Sequence, residues 1–211
     1  MAEEKTRSQP KSRIETLSDL IFGLALSIGA LTLIGQPPST LAQLLQSVLF
    51  YAFSFLILIT VWYSYTRTMS QLHVETTVMV DLNILLLFLV SIEPYLFNQL
   101  INSSLGEYVS ILYALDLGGL FVIQAFLANA VLADKNRPEV VLQRYRLLRI
   151  TLLLSAFIFF ISTIPFFWSW RIEVAGAVVP LRVAMWLITL FLPRVRRLLE
   201  RSERNREKMS L

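Results

Sequence analysis

Apolar runs long enough to cross a lipid bilayer alternate with short polar breaks along most of this chain. A crossing helix needs roughly 20 mainly apolar residues. Six stretches meet that length: 17–36, 41–63, 80–101, 108–132, 147–170 and 174–193. Gln36-Pro37-Pro38-Ser39-Thr40 divides the first two, Asn102-Ser103-Ser104-Leu105-Gly106 the third and fourth, and Lys135-Asn136-Arg137-Pro138 the fourth and fifth. Such clusters of Pro, Gly, Asn and Ser end helices and form turns. Only a tight turn near Arg171-Ile172-Glu173 separates the last two runs. The pattern predicts an all-α integral membrane protein of six transmembrane helices over 13–193, preceded by a short N-terminal segment, 1–12, and followed by a basic tail, 194–211.

Composition agrees with that class. Of 211 residues 55% are hydrophobic and 16% charged, and the mean hydropathy is +0.62; a soluble domain of this size is less apolar and more charged. The absence of Cys removes disulfides, thiolate metal sites and Cys nucleophiles, and one histidine, His73, cannot supply a zinc cluster. The net charge of +4 resides in basic residues flanking apolar spans, which speaks against a nucleic-acid partner.

The placement of Lys and Arg sets the orientation. Lys5, Arg7, Lys11 and Arg13 precede the first run, Arg67 follows the second, and Lys135, Arg137, Arg144 and Arg146 lie between the fourth and fifth. Arg194, Arg196, Arg197, Arg201, Arg204, Arg206 and Lys208 follow the last, whereas the intervening loops hold only Arg171. Under the positive-inside rule both termini face the cytoplasm. The tail reads mainly as a solvated helical end of alternating Glu and Arg, with anionic lipid headgroups as a candidate partner.

In the first run, Leu17, Leu20, Ile28 and Leu31 fall within roughly 40° of Leu24 on a helical wheel. Gly23, Ser27 and Ala30 flank this bulky stripe on one side, Ala25 and Gly29 on the other, and Phe22, Leu26 and Leu33 cover the back. Small residues let membrane helices approach closely. The helix could therefore pack between two copies of itself and turn the stripe toward a common axis. Core packing within a single chain is the competing reading, and the pattern alone leaves both open.

The segment Arg13-Ile14-Glu15-Thr16-Leu17-Ser18-Asp19 enters that helix. A carboxylate at the mouth of a membrane span is costly and marks function. The spacing resembles the R-x-x-x-F-S-D signature of the potassium channels related to transmembrane protein 175, with Leu17 where that family has Phe. Two further stretches resemble the family: Phe55-Leu56-Ile57-Leu58-Ile59-Thr60-Val61-Trp62, and Asp81-Leu82-Asn83-Ile84-Leu85-Leu86-Leu87 followed by Pro94. The resemblance covers residues 13–97 by motif and the whole chain by topology. It implies a homotetramer of single-repeat chains in a prokaryotic plasma membrane, with potassium as permeant ion and no bound cofactor. It also implies that the first helix lines the pore, with constriction layers at Leu24, Ile28 and Leu31 and a hydroxyl layer at Ser27.

The family's His residues after the Trp are replaced here by Tyr63-Ser64-Tyr65-Thr66-Arg67, so the polar network behind the signature is expected to be rewired, with Tyr65 or His73 as substitutes. Arg13 and Asp19, six residues apart, are too far round the helix to pair with each other. Each is expected to bond to another helix, and Trp62 and Asn83 are the candidates for Asp19, on spans returning to the same leaflet. Anchoring of the pore helix by Arg13, Ser18 and Asp19 is the role implied; direct ion coordination by Asp19 competes with it.

Glu93, Asp116 and Arg182 are the other ionisable residues inside apolar runs, each roughly 12 Å from the outer end of its span. Arg182 is expected to pair with one of the carboxylates, either as a structural ion pair or within a proton-coupled transport site. The function expected is a leak-like, potassium-preferring cation channel, not an enzyme, throttled by a hydrophobic constriction and lacking a T-V-G-Y-G filter. A proton-coupled secondary transporter built on Glu93, Asp116 and Arg182 is the alternative, although no internal repeat of the kind common in transporters is evident.

Overall fold

The computed structural model describes residues 2–31, 39–72, 77–134, 136–174 and 177–193. Its elements are α1 (Ala2–Leu31), α2 (Leu41–Gln71), α3 (Thr77–Asn102), α4 (Gly106–Ala133), α5 (Glu139–Ser162), the one-turn α6 (Phe166–Ser169), β1 (Arg171–Val174), β2 (Ala177–Pro180) and α7 (Leu181–Thr189). The first five helices are each long and apolar enough to cross a membrane, so the chain is an integral, multi-pass, predominantly helical membrane protein.

Local chemistry fixes the helix ends. After Pro37-Pro38, the Thr40 hydroxyl accepts from the Gln43 N–H at 3.2 Å and the Gln43 side chain accepts from the Ser39 N–H at 3.0 Å. This reciprocal cap satisfies donors at the start of α2 that the helix itself leaves free. At the other end, Arg137 donates to the Gln71 backbone and side-chain oxygens and pairs with Asp134 at 3.1 Å. A guanidinium there complements the negative end of the α2 dipole and ties the loop between α4 and α5 to it.

Helix α4 forms the centre, packed against α2, α3 and α5. Of its most apolar window, 67% is buried, against 22% for that of α1. The difference follows from sequence: α4 is apolar on nearly every side, whereas α1 buries one narrow face, Ser18, Phe22 and Ala25, against α2 and α3. The rings of Phe53, Tyr113 and Phe159 pack round that of Trp186 in the core, with centroids 5.3 to 6.4 Å from it.

The segment after α5 departs from expectation. The expected fifth run, 147–170, is displaced: α5 starts at Glu139 and stops at Ser162. The expected sixth run, 174–193, does not begin as a helix, because Arg171–Val174 and Ala177–Pro180 pair as an antiparallel hairpin in which Ile172 is opposite Val179. The β-branched residues Val174, Val178 and Val179 suit an extended conformation, and Pro180 immediately precedes the start of α7. The connection is thus a short helix and a hairpin, not a tight turn. The nine residues of α7 span about 14 Å at helical rise, short of a hydrocarbon core about 30 Å thick. The tail 194–211 lies outside the described residues, as does Leu33.

Candidate pore helix and buried polar sites

On α1 the bulky stripe points away from the body of the chain. Leu24 is 55% exposed, Ile28 42% and Leu31 60%, whereas Phe22 on the opposite face is 1% exposed. Leu17 and Leu20 are exposed on the same stripe, toward the start of the helix. Core packing within one chain therefore does not account for these residues: their apolar surface meets either lipid or another protein surface. The two flanks are not equivalent. Ala25 is buried within the chain, and a Cβ at Gly29 would lie 3.6 Å from the Tyr51 ring. A Cβ at Gly23 would meet nothing within 4 Å, and Ser27 beside it is exposed, its hydroxyl donating to the Gly23 carbonyl at 2.8 Å. Of the two flanks expected to be free, the rest of the chain covers the Ala25–Gly29 side and leaves the Gly23–Ser27 side open.

Below the stripe, the signature residues join α1 to α2. The Trp62 indole donates to Asp19 Oδ1 at 2.9 Å. Ser18, buried, donates to its own helix at the Ile14 carbonyl, 2.7 Å away, and shares a second hydrogen bond of 2.7 Å with the Tyr65 hydroxyl. Tyr65 is buried and its ring lies 5.8 Å from that of Phe22. Three residues apart on α2, Trp62 and Tyr65 occupy one face and grip successive residues of α1. Asn83 is not brought to Asp19: its amide donates back to the Met79 carbonyl at 2.7 Å, and its Oδ1 is buried without a partner. Arg13 is exposed, and no ion pair among the described residues joins it to Asp19. His73 lies outside the described residues.

The three charges expected at one depth separate. Arg182 meets neither carboxylate. Its Nε donates to the Ser162 carbonyl at 2.6 Å and its Nη2 to the Thr163 and Ile164 carbonyls at 3.0 and 3.2 Å. Its Nη1 reaches the Ser110 hydroxyl and the Glu107 carbonyl, and the guanidinium lies 5.5 Å from the centre of the Trp168 ring. The buried guanidinium thus caps the carbonyl end of α5, where helix geometry leaves acceptors free and the dipole is negative. The expected ion pair fails because equal depth in the membrane does not imply the same side of the bundle.

Glu93 is buried between α2, α3 and α4, where Ser54 and Tyr113 each donate to its Oε1 at 2.8 Å. Its Oε2 and both oxygens of buried Asp116 have no hydrogen-bond partner. The apolar pattern does not single out Ser54, Tyr113 or the buried pair Ser64 and Gln124; the latter two bond to each other at 2.5 Å while Gln124 donates to the Val61 carbonyl at 2.7 Å. A polar residue on the core face of a span is the signal that each of them offers.

Residues 13–94 match the family model of the endosomal/lysosomal potassium channel TMEM175. That stretch contains the signature, the stripe and Pro94, so the resemblance drawn from the motifs and the match fall on the same residues. Among solved structures, the chain is similar to a lysosomal potassium-selective channel TMEM175 homolog from Chamaesiphon minutus, at 19% identity and a TM-score of 0.61, over 89% of this chain and 98% of that one. No curated protein matches the chain.

Proposed function

We propose that this chain, which matches the TMEM175 family over residues 13–94 and shares the fold of a bacterial homologue, is a potassium-preferring cation channel. Four copies assemble in the plasma membrane of a prokaryote, and α1 of each lines a central pore. The observation that carries this reading is the outward stripe of Leu24, Ile28 and Leu31 on a helix whose opposite face is packed and which is apolar enough to cross the membrane. A ring of four such stripes forms an apolar constriction that water leaves readily, which throttles ion passage without a carbonyl-lined filter. Ser27, one turn from Leu24, adds a hydroxyl between two apolar layers.

The Trp62–Asp19 and Ser18–Tyr65 bonds then serve to anchor the pore helix to α2 at its cytoplasmic end. Direct coordination of permeating ions by Asp19 is the weaker reading, since its Oδ1 already accepts the indole N–H. The engagement of Arg182 with α5 removes the cation on which the transporter alternative drew. The test is reconstitution: purified protein in liposomes should carry potassium flux that is independent of a proton gradient and larger than the sodium flux. Flux that vanishes without a proton gradient, or no flux, would overturn the proposal.

A further inference from the structure

We propose that the cleft between α4 and α5, beside their connecting loop, binds the phosphate of an anionic phospholipid. Asn129, Leu132, Ala133, Leu142, Arg146 and Arg149 line it around a volume of about 300 Å³, enough for a headgroup phosphate and part of its glycerol. No residue of α1 lines it, so the site is separate from the stripe of Leu24, Ile28 and Leu31. Arg146 and Arg149, three residues apart on α5, share a face. Arg149 is half-buried, and its Nη1 donates across the seam to Asn129 Oδ1 at 2.7 Å. That bond uses one of the guanidinium N–H groups. Among the described residues, the others, those of exposed Arg146 and the Asn129 amide nitrogen meet no protein acceptor. The Asp134 carboxylate, just past the end of α4, is held by Arg137 at 3.1 Å, and no carboxylate lines the cleft. Two guanidinium forks with free donors match the oxygens of a phosphate. Basic side chains that only reach for water extend freely from a helix; the bond to Asn129 instead holds Arg149 in the cleft.

The surroundings of the cleft identify a lipid as the source of the phosphate. Both α4 and α5 are long and apolar enough to cross a membrane. From Ile150 to Ser162, α5 carries no charge, so Arg146 and Arg149 mark the polar edge of that span. Ala133, the last residue of α4, lies four residues beyond Asn129, about 6 Å at helical rise. Toward the membrane centre the outer surface turns apolar at once. Leu153, four residues after Arg149 and seven after Arg146, is exposed on their face of α5, and Phe126, one turn before Asn129, is exposed on α4. Donors for a phosphate thus give way to bare apolar side chains within one or two turns, the order in which a phospholipid presents its phosphate and its acyl chains. Basic pockets between membrane helices bind such headgroups. A soluble phosphate would gain nothing from Phe126 and Leu153.

The inference needs a membrane-spanning chain but not the pore reading, and failure of potassium flux would leave it standing. The unfolding temperature of detergent-purified protein is measured while phosphatidylglycerol replaces phosphatidylcholine at constant total lipid and ionic strength. A saturable rise is expected in the wild type. In Arg146→Gln and Arg149→Gln the half-saturating concentration should increase about fivefold or more. Arg146 makes no bond within the described chain, so its variant should fold as the wild type does. A tail variant, Arg201→Gln with Arg204→Gln, should keep the wild-type half-saturation. No rise with phosphatidylglycerol, an equal rise with inorganic phosphate in its place, or a loss as large in the tail variant as in the two cleft variants overturns the proposal. A map of the wild type in phosphatidylglycerol nanodiscs needs no substitution. Headgroup density at Arg146 and Arg149 supports the site, and a neighbouring protein chain filling the cleft contradicts it.

Discussion

Ser18 and Asp19 are adjacent in sequence but meet different residues of α2, and the two contacts differ in exposure. The Ser18–Tyr65 bond is buried, whereas the Asp19–Trp62 bond is open to solvent. A net hydrogen bond contributes about 1 kcal/mol, and one to a charged group somewhat more unless solvent screens it. A double-mutant cycle of Ser18→Ala and Tyr65→Phe should therefore give a coupling of about 0.5–1.5 kcal/mol in chemical unfolding. A cycle of Asp19→Asn and Trp62→Phe should give no more than that, and additive effects in both cycles would mean that the signature does not hold α1 to α2. Trp62 is legible in the sequence because its span returns to the leaflet that Asp19 enters, and Tyr65 because it follows that Trp where the family has His. Asn83 meets the same criterion as Trp62, yet its amide turns back on its own helix. Depth along a span can be read from hydropathy; the direction around the helix axis is set by packing that the sequence does not display.

At the scale of elements, the five long helices follow directly from apolar length, while the end of α5 and the hairpin do not. The stretch 174–193 is long and apolar enough to count as a span, but length alone cannot separate a helix from an extended run rich in Val. Arg182 shows how the real arrangement is held: one side chain joins the end of α5 to α4 and α7 through five hydrogen bonds. Replacing it by Met leaves buried carbonyls unsatisfied, each costing about 1–3 kcal/mol. Arg182→Met should therefore lower stability by roughly 3 kcal/mol or more. Arg182→Lys should recover only part of it, because an ammonium lacks the planar fork of donors. Thermal unfolding of both variants in detergent is the check. Full stability of the Met variant would show that the cap is not needed.

For the whole molecule, the account requires a fixed orientation and an assembly around α1. Single cysteines placed in this Cys-free chain at Ser39, Ser104 and Ser202 report orientation with an impermeant thiol reagent. Ser39 and Ser104 should be labelled from outside and Ser202 only after permeabilisation, as the distribution of Lys and Arg dictates; the reverse pattern would refute cytoplasmic termini. The sequence offers an assembly surface only as a stripe with small neighbours, and the structure of one chain leaves the Gly23–Ser27 side of that stripe uncovered. The central claim is that the stripe closes the pore, and paired substitutions on α1 test it most directly. Leu24 is outward-facing and Leu26 is packed against the core. In liposomes matched for protein amount, Leu24→Ser should wet the constriction, raise potassium flux and reduce discrimination against sodium. Leu26→Ser should lower stability without raising flux. Equal effects of the two substitutions, or unchanged flux in Leu24→Ser, would contradict the account.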